Sequence, residues 1–363
     1  MTPTLTIRDL RTRAVRVPMR RPLGTSRGVV REAPLVLVDL DTDQGVTGHA
    51  YLWAYTDNGA RALCILAAEV LSMVRGDQVA PAALHRKVSA RFTLIGREGL
   101  PQMALSALDV AAWDALARAA GLPLVRMLGG EVRPVPAYNS NGLGLVGAEA
   151  AAAEAQEIVG EGFRAIKLRL GYPTLAEDLA AVQAVMGAVP AGTRVLTDYN
   201  QALSVAEAIH RGRALDGEGV AWIEEPVRHD DYLGCARVAR EVATPVQIGE
   251  NFIGTHQMAA AIEAEASDFV MPDLARIGGV TGWLRAAGLA EAAGLEMSSH
   301  LFPEVSAHLL AVTPTAHFLE YVDWAAPILK EPLRVEEGMA EIPDRPGTGV
   351  EWNEDAVRRY ALE

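Results

Sequence analysis

"RAIKLRLGYP", residues 164–173, places the basic side chains of Lys167 and Arg169 two positions apart in an otherwise apolar run. Successive side chains of a β-strand point to opposite faces, so these two leave the same face. Two cations on one face of a buried strand are costly unless anionic groups lie opposite them. The stretch therefore predicts a buried strand whose two cations face an anionic cluster.

The chain from Val135 onward repeats this kind of short strand, each followed by an Ala-rich helical segment. The strand candidates are VPAYNS (135–140), AIKLRL (165–170), VLTDYN (195–200), VAWIEEP (220–226), VQIGEN (246–251), DFVMPD (268–273), LEMSSH (295–300) and HFLEYV (317–322). Eight strands that alternate with helices predict an α/β fold with a closed parallel barrel.

Polar or ionisable residues occur at the C-terminal end of every one of these strands. In chain order they are Ser140, Lys167 with Arg169, Asp198 with Asn200, Glu224, Glu250, Asp273, His300 and Glu320. The C-terminal ends of barrel strands meet on one rim, where barrel enzymes place their active sites. A single Asp at a strand end is more often a helix cap, but caps do not select Glu and His at consecutive strand ends.

Three of these residues, Asp198, Glu224 and Glu250, form a predicted metal site. Carboxylates at close range need a counter-charge, and a set of oxygen ligands suits a hard divalent ion, above all Mg²⁺. Asp273 and His300 follow on later strands, where the carboxylate would orient the imidazole as a general base. Taken singly, Asp273 can also cap the next helix and His300 can be a hydrogen-bonded core residue.

These groups together predict proton abstraction next to a substrate carboxylate. A metal beside that carboxylate lowers the energy of the enediolate that forms, and Glu320 can add a hydrogen bond to the developing oxyanion. The substrate would lie between His300 and the pair of Lys167 and Arg169.

The first 130 residues have a different pattern and predict an α+β unit. TIRDLRTRAVRVPM (6–19) and APLVLVDLDTDQGVTGHAYL (33–52) contain alternating stretches with a hairpin turn at TDQG, and MALSALDVAAWDALARAAG (103–121) is an apolar helix. We expect two domains, one of residues 1–130 completed by 326–363 and one of residues 131–325.

Composition limits the classes of function. The chain has 363 residues and a formal net charge of −13 without an acidic tail, which argues against nucleic-acid or anionic-membrane partners and favours a small-molecule substrate. Two cysteines, Cys64 and Cys235, indicate no disulfide framework, so a cytoplasmic location is expected. No segment resembles a signal peptide or membrane span.

The motifs AIKLRLGYP, TDYNQ, WIEEP, IGEN, MPDLARIGGVTGW and SSHLFPEVSAHLLAVTPTAHFLE resemble, in order and spacing, the enolase superfamily and its mandelate racemase subgroup. The resemblance implies a modified (β/α)₇β barrel with an N-terminal α+β capping domain. It implies Mg²⁺ on Asp198, Glu224 and Glu250, and a dyad of His300 and Asp273. Glu320 and Lys167 would contact the substrate carboxylate. Subgroup members are usually octamers built from dimers, so a homo-oligomer is expected.

Arg169 departs from this family pattern, which has Lys-x-Lys with the second lysine as a base. A guanidinium stays protonated at ordinary pH and does not readily accept an α-proton. The sequence therefore favours one-base chemistry by His300, with loss of a β-hydroxyl from a hydroxy or sugar acid. Racemisation of a mandelate-like 2-hydroxy acid and a catalytically silent ligand-binding protein are the alternatives.

The substrate pocket is predicted by alignment with the family. Its residues would be Leu23, Arg27 and Val30 of a capping loop (21–30), Trp53 and Tyr55 of the next segment, and Ser140 and Asn200 of the barrel. The apolar and aromatic members suit an aryl or alkyl group, whereas Arg27 suits a polar or acidic one. Leu23, Val30 and Trp53 can alternatively be packing residues of a domain interface.

Overall fold

The computed structural model describes residues 4–362, which begin with a three-stranded antiparallel sheet. Its strands are β1 (Ile7–Thr25), β2 (Gly28–Thr42) and β3 (Thr47–Trp53). The predicted TDQG turn joins β2 and β3, where the Gly45 amide donates to the Thr42 carbonyl oxygen at 3.1 Å. Segment 21–30, predicted as a loop, is instead the end of the β1–β2 hairpin, because Leu23 pairs with Val30 and Thr25 with Gly28.

Four helices follow the sheet. They are α1 (Asp57–Val74), α2 (Pro81–Arg91), α3 (Leu100–Ala120) and α4 (Leu124–Met127). The predicted apolar helix is α3, which ends at Gly121 in the left-handed conformation that glycine favours. Gly48 of β3 allows close contact with α3, since a Cβ at that position would lie only 2.0 Å from the Ala111 carbonyl oxygen.

All eight predicted barrel strands are present. They are β4 (Val135–Asn139), β5 (Ala165–Arg169), β6 (Arg194–Asp198), β7 (Ile223–Glu224), β8 (Val246–Ile248), β9 (Phe269–Val270), β10 (Glu296–Met297) and β11 (Leu319–Tyr321). Neighbours from β4 to β10 pair in parallel, and β11 pairs with β4. The Ser299 amide donates to the Phe318 carbonyl oxygen at 2.9 Å, which closes the barrel between β10 and β11. The predicted fold class is confirmed.

The helices between these strands form the outer layer. They are α5 (Ala148–Gly160), α6 (Leu175–Ala188), α7 (Val205–Leu215), α8 (Tyr232–Glu241), α9 (Thr255–Glu263), α10 (Leu274–Ile277), α11 (Gly279–Ala293) and α12 (Pro303–Leu310). Within residues 4–362, none of the helices is long and apolar enough to cross a membrane.

The C-terminal segment contacts both parts of the chain. After a 3₁₀ turn (Ala326–Ile328), the hairpin of β12 (Arg334–Glu336) and β13 (Met339–Glu341) pairs with β4 of the barrel. The last helix, α13 (Glu354–Arg359), leads to Ala361, which bridges to Val15 of β1. The domain limits at residues 130, 131, 325 and 326 stay a prediction.

Aromatic side chains fill one part of the barrel interior. Tyr138, Trp222 and Phe318 are buried, with ring centroids 5.5–6.3 Å apart. Close-packed rings leave this region without space for a ligand. The chemistry-bearing residues lie at the opposite, C-terminal ends of the strands.

Candidate active site

Four barrel strands, β5, β6, β7 and β11, bring Lys167 and a group of carboxylates together. The parallel register places Asp198 of β6 beside Arg169 of β5 on one side and Glu224 of β7 on the other. Lys167 Nζ lies 2.5 Å from Glu224 Oε1, 2.8 Å from Glu320 Oε1 and 3.3 Å from Asp198 Oδ2. The anionic cluster expected opposite the "KLR" cations is therefore the strand-end carboxylates themselves.

Burial and mutual repulsion set the protonation of this cluster. Burial disfavours the charged ammonium of Lys167, but the carboxylates of Glu224, Glu320 and Asp198 more than compensate and raise its pKa. Burial raises the pKa of Glu224, Lys167 opposes that rise and the charges of Asp198 and Glu320 add to it, so that the pKa is about 8. Despite its burial, Glu320 has a pKa lowered to about 2 by Lys167 and His300. The cluster thus holds one cation and needs further positive charge.

His300 and Asp273 form a hydrogen-bonded dyad across the barrel mouth from Lys167. His300 Nδ1 lies 2.6 Å from Asp273 Oδ2, and Nε2 lies 3.3 Å from Glu250 Oε2. Burial lowers the imidazole pKa, but Glu320, Glu250 and Asp273 outweigh it and raise that pKa to about 9. Asp273 also caps α10, because its Oδ1 accepts from the Arg276 amide at 3.0 Å. The cap and the dyad use different oxygens of one carboxylate.

The three predicted metal ligands lie along the same rim but differ in orientation. Asp198 and Glu224 face the ammonium of Lys167, whereas Glu250 faces His300. Within residues 4–362, no three side chains of His, Cys, Asp or Glu converge tightly enough to hold a metal ion as they stand. The Lys167 ammonium lies between two of these oxygen donors, Asp198 Oδ2 and Glu224 Oε1. This donor set suits a hard divalent cation, and the chain's residues fit such an ion.

Arg169 is buried and points into the segment that follows β4. Its guanidinium donates to the carbonyl oxygens of Gly142 at 2.7 Å and Ser140 at 3.1 Å, and to Ser140 Oγ at 3.1 Å. Ser140 was predicted to bind substrate, but it is completely buried. Its hydroxyl and carbonyl oxygens accept hydrogen bonds from the Arg169 guanidinium instead. Two of the guanidinium's hydrogen bonds hold this backbone, and a third holds the Ser140 hydroxyl.

A cavity of about 520 Å³ opens above the carboxylates and His300. Six predicted substrate-binding residues line it, namely Leu23, Arg27, Val30, Trp53, Tyr55 and Asn200. Arg27 Nη2 donates to the Gln201 carbonyl oxygen at 2.5 Å, and Nε donates to that of Asn200 at 3.3 Å. The Arg27 guanidinium therefore holds the hairpin end on the barrel. It is not a free cation for a distal anionic group of a substrate.

Sequence analysis missed two residues that shape this site. Trp324 lines the cavity with its ring centroid 4.6 Å from that of Trp53, and it lies four residues after Glu320 in the same strand-end segment. Arg276 donates to the Tyr55 hydroxyl at 2.6 Å and to the Glu250 carbonyl oxygen at 2.7 Å. Its position three residues after Asp273 could have indicated a role at the site, since the first turn after a barrel strand borders the rim.

Comparisons with known proteins match the whole of this architecture. The family description "Mandelate racemase / muconate lactonizing enzyme, N-terminal domain" matches residues 7–129, and "Enolase C-terminal domain-like" matches residues 150–356. A solved enolase from Bradyrhizobium, complexed with magnesium and mandelic acid, is 44% identical with a TM-score of 0.96 and covers 100% of both chains.

Two curated relatives carry different activities. L-talarate/galactarate dehydratase of Salmonella typhimurium is 34% identical over 266 residues, which are 73% of this chain and 67% of that one. The 3,6-anhydro-alpha-L-galactonate cycloisomerase of Streptomyces coelicolor is 30% identical over 98% of this chain and 99% of that one. The chain therefore belongs to the mandelate racemase/muconate lactonizing enzyme group of the enolase superfamily.

Proposed function

We propose that this enzyme abstracts the α-proton of a 2-hydroxycarboxylate in a Mg²⁺-dependent reaction, with His300 as the base. The observation that carries the proposal is the 2.6 Å contact between His300 Nδ1 and Asp273, on a side chain that lines the cavity and has Nε2 as its second ring nitrogen. Because Nδ1 donates to the carboxylate, Nε2 is the atom that accepts a proton from substrate once the imidazole is neutral, and a cation held by Glu250 would lower the His300 pKa towards that state. Asp273 then stabilises the imidazolium that results.

Asp198, Glu224 and Glu250 are the residues that would hold Mg²⁺. The convergence of the Asp198 and Glu224 carboxylates on one cation supports this assignment, as does magnesium in the 44% identical Bradyrhizobium enolase. When bound, the ion supplies positive charge that stabilises negative charge developing on the substrate carboxylate. Lys167 and Glu320, which contact each other at 2.8 Å, lie where they can contact that carboxylate.

The proposed outcome is dehydration with a single base. The Arg169 guanidinium stays protonated and is held by the Ser140 and Gly142 carbonyl oxygens, so the second face of the substrate lacks the lysine base of the family's Lys-x-Lys pattern. His300 takes the α-proton, the bond from the β-carbon to its hydroxyl breaks, and the hydroxyl leaves as water with a proton returned by His300. The enol product tautomerises to a 2-keto acid. Similarity to a talarate/galactarate dehydratase supports this outcome.

The second candidate is racemisation of a mandelate-like 2-hydroxy acid. The specific observation in its favour is the aromatic wall of Trp53, Tyr55 and Trp324, whose neighbouring ring centroids lie 4.6 and 5.4 Å apart. Such a wall suits an aryl group better than a polyol, and the Bradyrhizobium enolase is complexed with mandelic acid. A homo-oligomeric assembly and a cytoplasmic location stay predictions.

Solvent-deuterium exchange separates the two outcomes. The purified enzyme with Mg²⁺ is incubated in D₂O with aldonates, aldarates and both enantiomers of mandelate, and products are followed by NMR and mass spectrometry. We expect a 2-keto acid from a sugar acid, or α-deuteration of one mandelate enantiomer only. Deuterium in both enantiomers would show racemisation instead, and no reaction across the panel would contradict the proposed function.

Two variants and a control assign the bases in the same assay. His300→Asn should reduce the rate by at least about 10³-fold because it removes the proton acceptor. Arg169→Lys should add exchange on the opposite face if the arginine is what disables that half-reaction. His256→Asn, an exposed position on α9, is the matched control and should keep the wild-type rate.

A further inference from the structure

Arg276, on α10, lies between the end of β8 and the wall of the cavity. Nη1 of its guanidinium donates to the Glu250 carbonyl oxygen at 2.7 Å and to Asn251 Oδ1 at 2.8 Å. Nη2 donates to the Tyr55 hydroxyl at 2.6 Å, and the guanidinium carbon lies 5.2 Å from the centre of the Tyr55 ring. One side chain thus joins the barrel rim to the segment that follows β3.

The contact with Arg276 fixes the orientation of the Asn251 amide. A guanidinium only donates hydrogen bonds, so Asn251 must present Oδ1 to it. The amide nitrogen Nδ2 then faces the other way and donates to Glu250 Oε1 at 2.9 Å. The second oxygen of that carboxylate, Oε2, lies 3.3 Å from His300 Nε2. The orientation of the Glu250 carboxylate therefore depends on Arg276 through Asn251.

The backbone of Arg276 reaches the other side of the imidazole. Its amide donates to Asp273 Oδ1 at 3.0 Å, and Oδ2 of the same carboxylate contacts His300 Nδ1 at 2.6 Å. A substitution of the Arg276 side chain removes the contacts to Asn251 and the Glu250 carbonyl oxygen but leaves the backbone amide that donates to Asp273. Such a variant therefore tests the contacts to Glu250 without changing those to Asp273.

We propose that Arg276 is a positioning residue that, through Asn251, orients the Glu250 carboxylate for the metal ion. This inference rests on the proposed function in one respect, which is that Glu250 is a Mg²⁺ ligand. Groups that orient metal ligands by hydrogen bonds change metal affinity by about 10- to 100-fold when they are removed. The Tyr55 hydroxyl is the far end of the same link and does not contact Glu250.

The test is a Mg²⁺ titration by isothermal calorimetry, which needs no substrate. Arg276→Met and Asn251→Leu should each weaken Mg²⁺ binding by about 10- to 100-fold, and the double variant should lose no more than the larger single loss, because both act through Glu250 Oε1. Equal Mg²⁺ affinity in wild type and Arg276→Met, or losses that multiply in the double variant, would overturn the inference.

Three further measurements make the result specific. Arg228→Met is the matched control, since Arg228 is exposed and pairs with Asp230, and its Mg²⁺ affinity should stay within twofold of wild type. Tyr55→Phe should also stay within twofold, and a loss as large as that of Arg276→Met would overturn the route through Asn251. If Arg276→Met does not fold, Arg276→Lys replaces it, with a 10-fold loss expected. Failure of the wild type to bind Mg²⁺ would contradict the proposed function instead.

Discussion

The ammonium of Lys167 is the counter-ion of a buried acidic cluster. It lies within 3.3 Å of Asp198, Glu224 and Glu320, and all four side chains are at most 2% exposed. Removing one partner of a buried charged group leaves uncompensated charge, which costs about 3–5 kcal/mol. Two of these carboxylates, Asp198 and Glu224, are also assigned to Mg²⁺, so lysine and metal share the neutralisation of this site.

We therefore expect Lys167→Met to lower the free energy of unfolding of the metal-free protein by about 3–5 kcal/mol. Added Mg²⁺ should restore much of the loss, because ion binding to the folded state stabilises it. Urea unfolding with chelator and with excess Mg²⁺ measures both effects. Lys330→Met is the control, since Lys330 pairs with Glu351 at the surface, and its stability should change by less than about 0.5 kcal/mol. A Lys167→Met protein as stable as wild type without metal would contradict the expectation.

At the scale of single residues, sequence located the rim but not the orientation of each side chain. Lys167, Asp198, Glu320 and His300 were predictable because each one lies in the C-terminal part of an apolar run that the parallel barrel aligns with the next. Glu250 was assigned to the same metal set, yet one oxygen of its carboxylate, Oε2, lies 3.3 Å from His300 Nε2 while the other, Oε1, accepts from Asn251. A side-chain rotamer set by such a network of hydrogen bonds leaves no trace in strand spacing.

At the scale of elements, the β1–β2 hairpin covers the cavity and is held by its own tip. Arg27 donates to the carbonyl oxygens of Asn200 and Gln201, and the Ser26 hydroxyl lies 3.4 Å from the Tyr199 carbonyl oxygen. The paired backbone extends to Thr25 and Gly28, so the hairpin end is regular structure. The loop at 21–30 was predicted by alignment with the family, whereas pairing of Leu23 with Val30 extends the ladder into this segment.

Arg27→Ala should release this tip from the barrel. Loss of hydrogen bonds from a charged donor costs about 1.5–3 kcal/mol, so we expect proteinase K to cleave within residues 24–29 at least 10-fold faster. The KM for substrate should rise more than kcat falls, because the hairpin covers the cavity but carries no proton-transfer group. Arg31→Ala, an exposed position further along β2, is the control. Unchanged cleavage in Arg27→Ala would show that the Arg27 contacts do not hold the tip.

At the scale of the whole molecule, buried polar residues join segments that are distant in sequence. Asp114 of α3 accepts from the His49 amide of β3 at 2.8 Å and from the Thr348 amide near the C-terminus at 2.6 Å. His308 of α12 accepts from the Val125 amide at 3.2 Å, and its Nε2 contacts the Thr348 carbonyl oxygen at 3.1 Å. Sequence placed Asp114 in an apolar helix, but it could not pair it with His49 and Thr348, because contacts between segments so far apart in sequence depend on the complete fold.

His308 should make the stability of the whole molecule fall in acid. Thr348 offers a carbonyl acceptor and Val125 an amide donor, so the imidazole must be neutral, with its proton on Nε2. Burial lowers the pKa of His308 to about 4, against about 6.5 in the unfolded chain. Between these values the unfolded state binds more protons, so this contribution is complete above pH 6.5 and is lost as the pH falls towards 4. The loss amounts to about 3 kcal/mol.

The comparison of wild type with His308→Gln isolates this effect from the other titrating groups. Glutamine can accept from Val125 and donate to Thr348 without binding a proton, so the variant should lack this part of the acid loss. Its stability relative to wild type should rise by about 3 kcal/mol between pH 7.5 and pH 4, measured by urea unfolding at several pH values. His256→Gln, at an exposed position, should follow the wild-type curve. Parallel pH curves for wild type and His308→Gln would show that the imidazole is not held neutral in the folded protein.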